Sequence, residues 1–366
     1  MDPQHSAHNT VPPSNPSQQE AWTTLNGVPI ERRLQTAAVS SFVGALPLTG
    51  LCFASAAYLL TKRRLAPFMA AYLVYMAFID QSQRNGRKKS FRFRNLRWWR
   101  FFKDFFPITL HRTVPLSPDH RYIFGYHPHG IIGFGAISCF ATEAHDFGKL
   151  FPGLDVYLVT LPVNFRIPFL REIYLALGLL DASKETFRSI LSGGSGKAIA
   201  VVVGGAAESL KSEPGKMDLT IKSRKGFVRQ AFLHDALLVP VLGFGETDVF
   251  GIIRSAWLLR VQQALQKRLG FAMPLFHGRG IFQYHFGILP HRRPIKVVVG
   301  QPVSLPRSTL DGSLVAEKGE AWLRTSEEGR ALVQEAHGRY VSELQRLHKE
   351  HKSTFCPCEE VPLELN

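Results

Sequence analysis

Polar residues fill the start of the chain, where Pro, Ser, Gln, Asn and His recur with no sustained apolar period. Such a stretch cannot bury enough apolar surface to offset the entropy of ordering, so residues 1–33 are expected to form a disordered tail. The pattern then inverts. From Thr36 to Leu60 no charged residue occurs, and only Pro47 and small side chains interrupt the apolar run. At about 1.5 Å per helical residue, a run of this length can cross a hydrocarbon core of about 30 Å. Thr61, Lys62, Arg63 and Arg64 break it, and a second apolar segment, Leu65 to Ile79, ends at Asp80. That segment is short for a full span. The expectation is a membrane-embedded hairpin over residues 34–80, made of two crossings or of one crossing and a re-entrant or interfacial segment. The first apolar run begins too far from the N-terminus for a signal peptide.

Beyond the hairpin, short β-branched or aromatic runs recur at Tyr122 to Tyr126, Val156 to Thr160, Ala198 to Val203, Leu237 to Leu242 and Lys296 to Val299. Segments with helical spacing lie between them, such as Lys184 to Leu191 and Phe227 to Leu233. This alternation predicts an α/β domain over residues 81–352, a largely parallel sheet covered by helices with functional residues at the C-terminal ends of its strands. Leu323, Leu332, Ala336, Tyr340, Leu344 and Leu347 keep approximate helical spacing among many charges, which predicts an amphipathic surface helix. Residues 353–366 are expected to be a C-terminal tail. No internal repeat is apparent.

Charge sharpens this picture. Lys and Arg outnumber Asp and Glu by 44 to 29 in 366 residues, a formal charge of +15, which favours an anionic partner. Much of the excess stands directly after the second apolar segment, at Arg84, Arg87, Lys88, Lys89, Arg92, Arg94, Arg97 and Arg100, interleaved with Phe91, Phe93, Trp98, Trp99, Phe101, Phe102, Phe105 and Phe106. Arginines among aromatics also suit single-stranded nucleic acid. Placed beside a membrane segment, they point to an interfacial stretch with rings at headgroup depth and cations against anionic lipid, and no nucleic-acid partner is expected. The basic residues outside the hairpin outnumber those in its loop, so both ends should face the cytosol. Cys52, Cys139, Cys356 and Cys358 show neither a disulfide framework nor zinc-ligand spacing; reduced thiols and no metal are expected.

The sharpest chemical feature is Arg121-Tyr-Ile-Phe-Gly-Tyr-His127-Pro128-His129-Gly130. An apolar strand runs into two histidines flanking a proline, which stiffens the chain, and a glycine that allows a tight turn. Histidine is the side chain whose unperturbed pKa suits proton transfer near neutrality. Zinc binding by the pair, or a purely structural pair at a strand end, are the competing readings. A second strand, Ala198 to Val203, ends in Gly204-Gly205-Ala206-Ala207-Glu208. The small residues there would let a long substrate pass close to the backbone, and Glu208 would orient a histidine or touch the substrate. Ser192 to Ala198 fails as a phosphate loop, because Leu191 stands where its first glycine would fall and Ala198 where Ser or Thr is required. No Gly-x-Ser-x-Gly elbow occurs, so a serine hydrolase is unsupported.

These stretches resemble the type-2 diacylglycerol acyltransferase family, which includes monoacylglycerol and wax-alcohol acyltransferases. The matching segments are 122–130, Asn164-Phe-Arg166-Ile-Pro168 with Leu170-Arg-Glu172, Val203 to Leu210, Arg224-Lys225-Gly226-Phe-Val-Arg229, Val239-Pro240 with Phe244-Gly-Glu246, and Phe276-His277-Gly-Arg279-Gly280. They occur in family order over roughly residues 30 to 366. The resemblance implies a glycerolipid-acyltransferase-like mixed sheet and an enzyme of the endoplasmic reticulum membrane and lipid-droplet surface. Its substrates would be acyl-CoA, as co-substrate with no bound cofactor, and diacylglycerol; assembly into a homo-oligomer stays open. The aspartate usual five positions after the histidine in the wider group is absent, since Ile132 and Phe134 stand at that spacing from His127 and His129. Asp235 also departs from the family, which usually has glycine there; a local turn adjustment is expected.

By this reading His129, or else His127, accepts the hydroxyl proton of the acceptor, and Glu208 orients the histidine or favours its protonated form. Gly130, Gly204 and Gly205 present backbone N–H groups to the developing oxyanion. Arg224, Lys225 and Arg279 hold the phosphates of coenzyme A. Pro128, Asn164, Arg166, Gly226 and His277 complete the expected substrate contacts. Acylation of monoacylglycerol or a long-chain alcohol, and a non-catalytic lipid-droplet membrane protein, are the alternatives.

Overall fold

The computed structural model describes residues 28–253, 262, 275–281, 286–306, 312–355 and 362–366. Most of the expected tail at residues 1–33 lies outside them, as do Cys356 and Cys358.

The apolar run from Thr36 to Leu60 is not one helix. It divides into α1 (Ile30–Val43) and α2 (Ala45–Thr61), with the chain bent by 61° between them. Among the described residues no single helix is long and apolar enough to cross a membrane, although the bent pair together meets the length and composition required. The reason for the break is tertiary. Ala38, Val39 and Val43 are buried in the aromatic core of the globular part, so α1 belongs to that core and only α2 leaves it. Helix α3 (Ala66–Val74) follows, extended by a π-helical turn at Tyr75–Ile79. Leu51, Phe53, Tyr58, Phe68, Phe78 and Ile79 are exposed along these helices.

At Asp80 the end of this apolar segment is tied down. The Asp80 carboxylate accepts from Lys88 at 2.7 Å and from fully buried Arg171 at 2.9 Å, and Lys88 also reaches Glu172 at 3.0 Å. Arg171 and Glu172, part of the motif singled out above, therefore anchor the apolar segment to the domain.

In the aromatic and basic stretch that follows, several of the rings expected at headgroup depth are instead packed inside the protein, while Phe91 is exposed. In α4 (Arg97–Phe105), Trp99, Phe102 and Phe105 point inward, and with Phe106 they are buried against α1 and Phe134. Spacing of three residues puts them on one helical face, leaving Arg97 and Arg100 on the other. Arg94 is also interior, paired with Glu143 at 2.9 Å and donating to the Leu177 and Phe140 carbonyls.

A seven-stranded mixed sheet forms the centre. Its strands are β1 (Thr109–Arg112), β2 (Arg121–His127), β3 (Asp155–Thr160), β4 (Leu179–Asp181), β5 (Lys197–Val202), β7 (Ala236–Phe244) and β10 (Lys296–Val299), in the order β1-β10-β7-β2-β5-β3-β4. The strands β7, β2, β5, β3 and β4 are mutually parallel, while β10 runs antiparallel to β7. The strands expected from the pattern are thus present, with ends within a residue or two. Smaller pairs join β6 (Met217–Leu219) to β11 (Leu363–Leu365), and β8 (Gly251–Ile252) to β9 (Phe276–His277). The expected C-terminal tail accordingly ends as a strand of the fold.

Alternation along β2 sends Tyr122, Phe124 and Tyr126 to the face covered by α1, α4 and α5 (Phe134–Phe140), and Ile123 and His127 to the opposite one. The latter is covered by α9 (Gly226–His234) and α11 (Glu327–Phe355), after α6 (Leu170–Ala176), α7 (Lys184–Leu191) and α8 (Gly205–Ser209) in the chain, with α10 (Gly312–Thr325) between them. The stripe Leu323, Leu332, Ala336, Tyr340, Leu344 and Leu347, expected on a surface helix, is buried there over two helices. Because β2, β5, β3 and β7 are parallel, the segments following their C-terminal ends meet at one edge: His129 after β2, Glu208 after β5, Asn164 after β3 and Glu246 after β7.

Candidate active site

At this edge a cavity of about 1260 Å³ opens, lined by His129, Asn164, Arg166, Gly205, Arg224, Lys225 and Gly226 of the residues expected from the sequence. Pockets for small ligands usually hold about 300–1,000 Å³, so this one suits substrates of lipid size. Part of its wall is apolar: Phe42, Ala45, Thr49 and Phe53 from the break between α1 and α2, with Ile131, Ile132, Ala136, Ile137 and Tyr174. Another part is charged, formed by Lys184, Arg224, Lys225, Arg229 and Glu320.

The two histidines separate. His129 sits in the turn and faces the cavity; His127, the last residue of β2, is completely buried and does not line it. The Tyr340 hydroxyl donates to the Gly125 carbonyl at 3.0 Å and lies 3.0 Å from His127 Nε2. Its one proton is already committed to a carbonyl, so Nε2 of His127 is the donor in that contact. Nδ1 has no hydrogen-bond partner. Burial, aided by the nearby His337, pushes the His127 pKa down to about 3. This ring is a structural part of the core.

His129 has the complementary arrangement. Its Nδ1 lies 3.0 Å from the Gly130 carbonyl, which only accepts, so Nδ1 carries the proton and Nε2 is left bare. Burial holds the pKa below the ordinary histidine value, with the contacts to Gly130 and its own backbone opposing that shift. The ring is thus an unprotonated acceptor near neutral pH.

Glu208 acts on His129 through the main chain. Its Oε1 accepts the His129 N–H at 2.5 Å and its Oε2 accepts the Thr220 N–H at 2.9 Å, so the carboxylate clamps the turn and does not touch the imidazole. Gly204 leaves room for it: an added Cβ would fall 2.0 Å from Oε2. Burial raises the Glu208 pKa to about 7 despite these two amide bonds.

Below the turn lies a second buried carboxylate, Glu246, which the sequence showed only as part of a motif. It accepts the Tyr126 hydroxyl and the Gly135 N–H at the start of α5, and burial raises its pKa to about 8. Its carbonyl packs under Gly130, which has φ +61°; a Cβ there would meet Glu246 O at 2.9 Å. Glycine is needed at 130 on both counts.

The remaining expected residues fall as follows. Asn164 donates to Thr160 at 2.9 Å on the cavity wall, and Gly205 opens onto the cavity. Pro128, Gly130 and Gly204 are not among the residues lining it. His277 and Arg279 do not line the cavity, although Phe276 does. His277 stacks near Phe286, and Arg279 is buried with its guanidinium 5.8 Å from the Phe105 ring. Asp235 adopts the left-handed conformation, φ 47°, at the end of α9, the backbone that a glycine would favour. Lys184, Arg229, Glu320 and Tyr340 were missed. Each sits in an ordinary-looking amphipathic helix, and only the tertiary fold brings it to the site.

Known proteins resemble the chain over most of its length. The family model described as diacylglycerol acyltransferase matches residues 58–366. A 2-acylglycerol O-acyltransferase 1 of Bos taurus is 42% identical over 90% of this chain and 94% of its own. A diacylglycerol O-acyltransferase 2B of Umbelopsis ramanniana is 39% identical, covering 91% and 92%, and the diacylglycerol O-acyltransferase 2 of Homo sapiens is 37% identical, covering 94% and 86%. Among solved structures, a 1-acyl-sn-glycerophosphate acyltransferase from Thermotoga maritima matches with a TM-score of 0.34 and 13% identity over 86% of this chain and 98% of that one. The family match over most of the length, together with relatives of this identity, establishes that the chain belongs to the diacylglycerol acyltransferase family.

Proposed function

We propose that this acyltransferase esterifies diacylglycerol with the acyl group of acyl-CoA, giving triacylglycerol and free coenzyme A, with His129 as general base. The observation that carries the reading is the bare Nε2 of His129 facing a lipid-sized cavity with one apolar and one basic wall. Nε2 takes the hydroxyl proton as the oxygen attacks the thioester carbon. The tetrahedral oxyanion collapses, the C–S bond breaks, and the coenzyme A thiolate takes the proton back from His129. General-base help of this kind contributes about 10²–10⁴-fold. Glu208 positions the ring through the backbone, and Gly205 is an N–H donor for the oxyanion. Acyl-CoA is the co-substrate, and no bound cofactor enters the scheme.

The sheet, with its histidine turn at the strand ends, is read as that of glycerolipid acyltransferases. The exposed apolar helices α2 and α3 would hold residues 34–80 in the endoplasmic reticulum membrane, both ends toward the cytosol, and at the lipid-droplet surface. The acyl acceptor would then enter from the apolar side.

A panel of acceptors with purified protein and labelled acyl-CoA tests this reading. Diacylglycerol should give the highest kcat/KM; preference for a long-chain alcohol would overturn it. Monoacylglycerol as the main acceptor is the second reading, favoured by the bovine 2-acylglycerol O-acyltransferase 1 being 42% identical.

A further inference from the structure

Lys184, at the start of α7, and Arg229, on α9, line the cavity beside Arg224 and Lys225. Among the described residues lining it, Glu320 is the one acid. Its carboxylate bridges the two helices, with Oε2 at 2.7 Å from Lys184 Nζ and Oε1 at 3.7 Å from Arg229 Nε. The second contact is too long for a hydrogen bond, and Arg229 Nε is buried with no hydrogen-bond partner. Arg224 donates to the Gly204 carbonyl at 3.4 Å, and Lys225 to the Gln334 amide oxygen. Among the described residues lining the cavity, this single carboxylate thus faces five cationic side chains, Arg166 being the fifth. The first turn of α9 has no side-chain cap and reaches the cavity at Gly226 and Phe227, adding uncompensated N–H groups on the same side.

Glu320 is also hung on a hinge. Gly319, immediately before it, has φ 73° and ψ −178°, a conformation essentially confined to glycine, and α10 is broken there. Partly exposed ion pairs are weak, so little holds the carboxylate in place against a more highly charged anion.

We propose that Lys184 and Arg229 are phosphate ligands for the thioester donor, and that Glu320 is an internal anion that occupies them until the donor's phosphates displace it. The inference rests on acyl-CoA being the donor, a molecule with a diphosphate and a 3′-phosphate at one end and the reacting acyl group at the other. The phosphates take the basic wall, Glu320 swings out about Gly319, and the thioester reaches His129.

The test compares KM for acyl-CoA with KM for acyl-pantetheine, the same thioester without phosphates, in the full-length protein. Lys184→Gln and Arg229→Gln should raise the ratio of the two, acyl-CoA over acyl-pantetheine, about tenfold, while Glu320→Gln should lower it several-fold. Charge-retaining Arg229→Lys should recover most of the loss, which a folding defect would not. A ratio unmoved in all three variants, or raised by Glu320→Gln, overturns the proposal while leaving acyl-CoA as donor. A wild-type protein that transfers acyl groups from neither thioester overturns both readings.

Discussion

The two sides of the central strand's end differ in what they do with the same side chain. On one side, His127 is sealed between β2 and α11, its Nε2 bound to Tyr340 and its pKa pushed down to about 3. On the other, His129 faces a large cavity with its Nδ1 proton held by Gly130 and its Nε2 free. A single proline, Pro128, separates the packed histidine from the proposed base. The difference shows that the hydrogen bond made by the second ring nitrogen, and access to a cavity, decide whether a histidine can do chemistry.

This contrast can be broken from the turn outward. Among the residues that hold the turn around His129, Glu208→Ala should have the largest effect on rate. It leaves the His129 and Thr220 N–H groups without acceptors, at about 1–3 kcal/mol each, and frees the turn. Displacement of the ring by about 1 Å would reduce turnover about 100-fold. Denaturant unfolding and initial rates together measure both losses. Gly130→Ala comes next: forcing a Cβ at φ +61° against the Glu246 carbonyl costs about 1–3 kcal/mol and lowers the rate by at least about tenfold.

On the sealed side the balance reverses. Tyr340→Phe removes the partner of both His127 Nε2 and the Gly125 carbonyl, so unfolding should show a loss of about 1–3 kcal/mol. The rate per folded molecule should stay close to wild type; a large drop in kcat would mean that this side takes part in the reaction.

A pH dependence sharpens the comparison further. Glu246 has its folded pKa raised from 4.5 to about 8 by burial, so the folded state binds the proton more tightly than the unfolded one. Its stabilising contribution is full below about 4.5 and is lost as pH rises through about 8. Thermal melts of wild type against Glu246→Gln should therefore diverge across this window, with wild type losing relative stability as pH rises. Parallel curves would contradict a buried, protonated carboxylate beneath the turn.

Much of this was legible in the chain. Strand positions followed from short apolar runs, because a parallel sheet buried on both faces needs them. The histidine turn and Glu208 stood out because glycines and polar groups directly follow those runs. Other features were hidden. Trp99, Phe102 and Phe105 form an aromatic helix face that would suit lipid or protein equally, and only the neighbouring α1 and Phe134 decide for protein. The run from Thr36 to Leu60 likewise has the composition of a span, yet Ala38, Val39 and Val43 are taken by the core and the chain bends. Tyr340 lies 213 residues from His127, beyond the reach of any local pattern.

The most direct test of His129 as the base is the initial rate of labelled triacylglycerol formation by His129→Ala and His127→Ala in membranes, each corrected for folded protein. His129→Ala should fall about 10²–10⁴-fold while His127→Ala keeps most of its rate per folded molecule. Wild-type turnover by His129→Ala, with activity abolished in His127→Ala, would contradict the account.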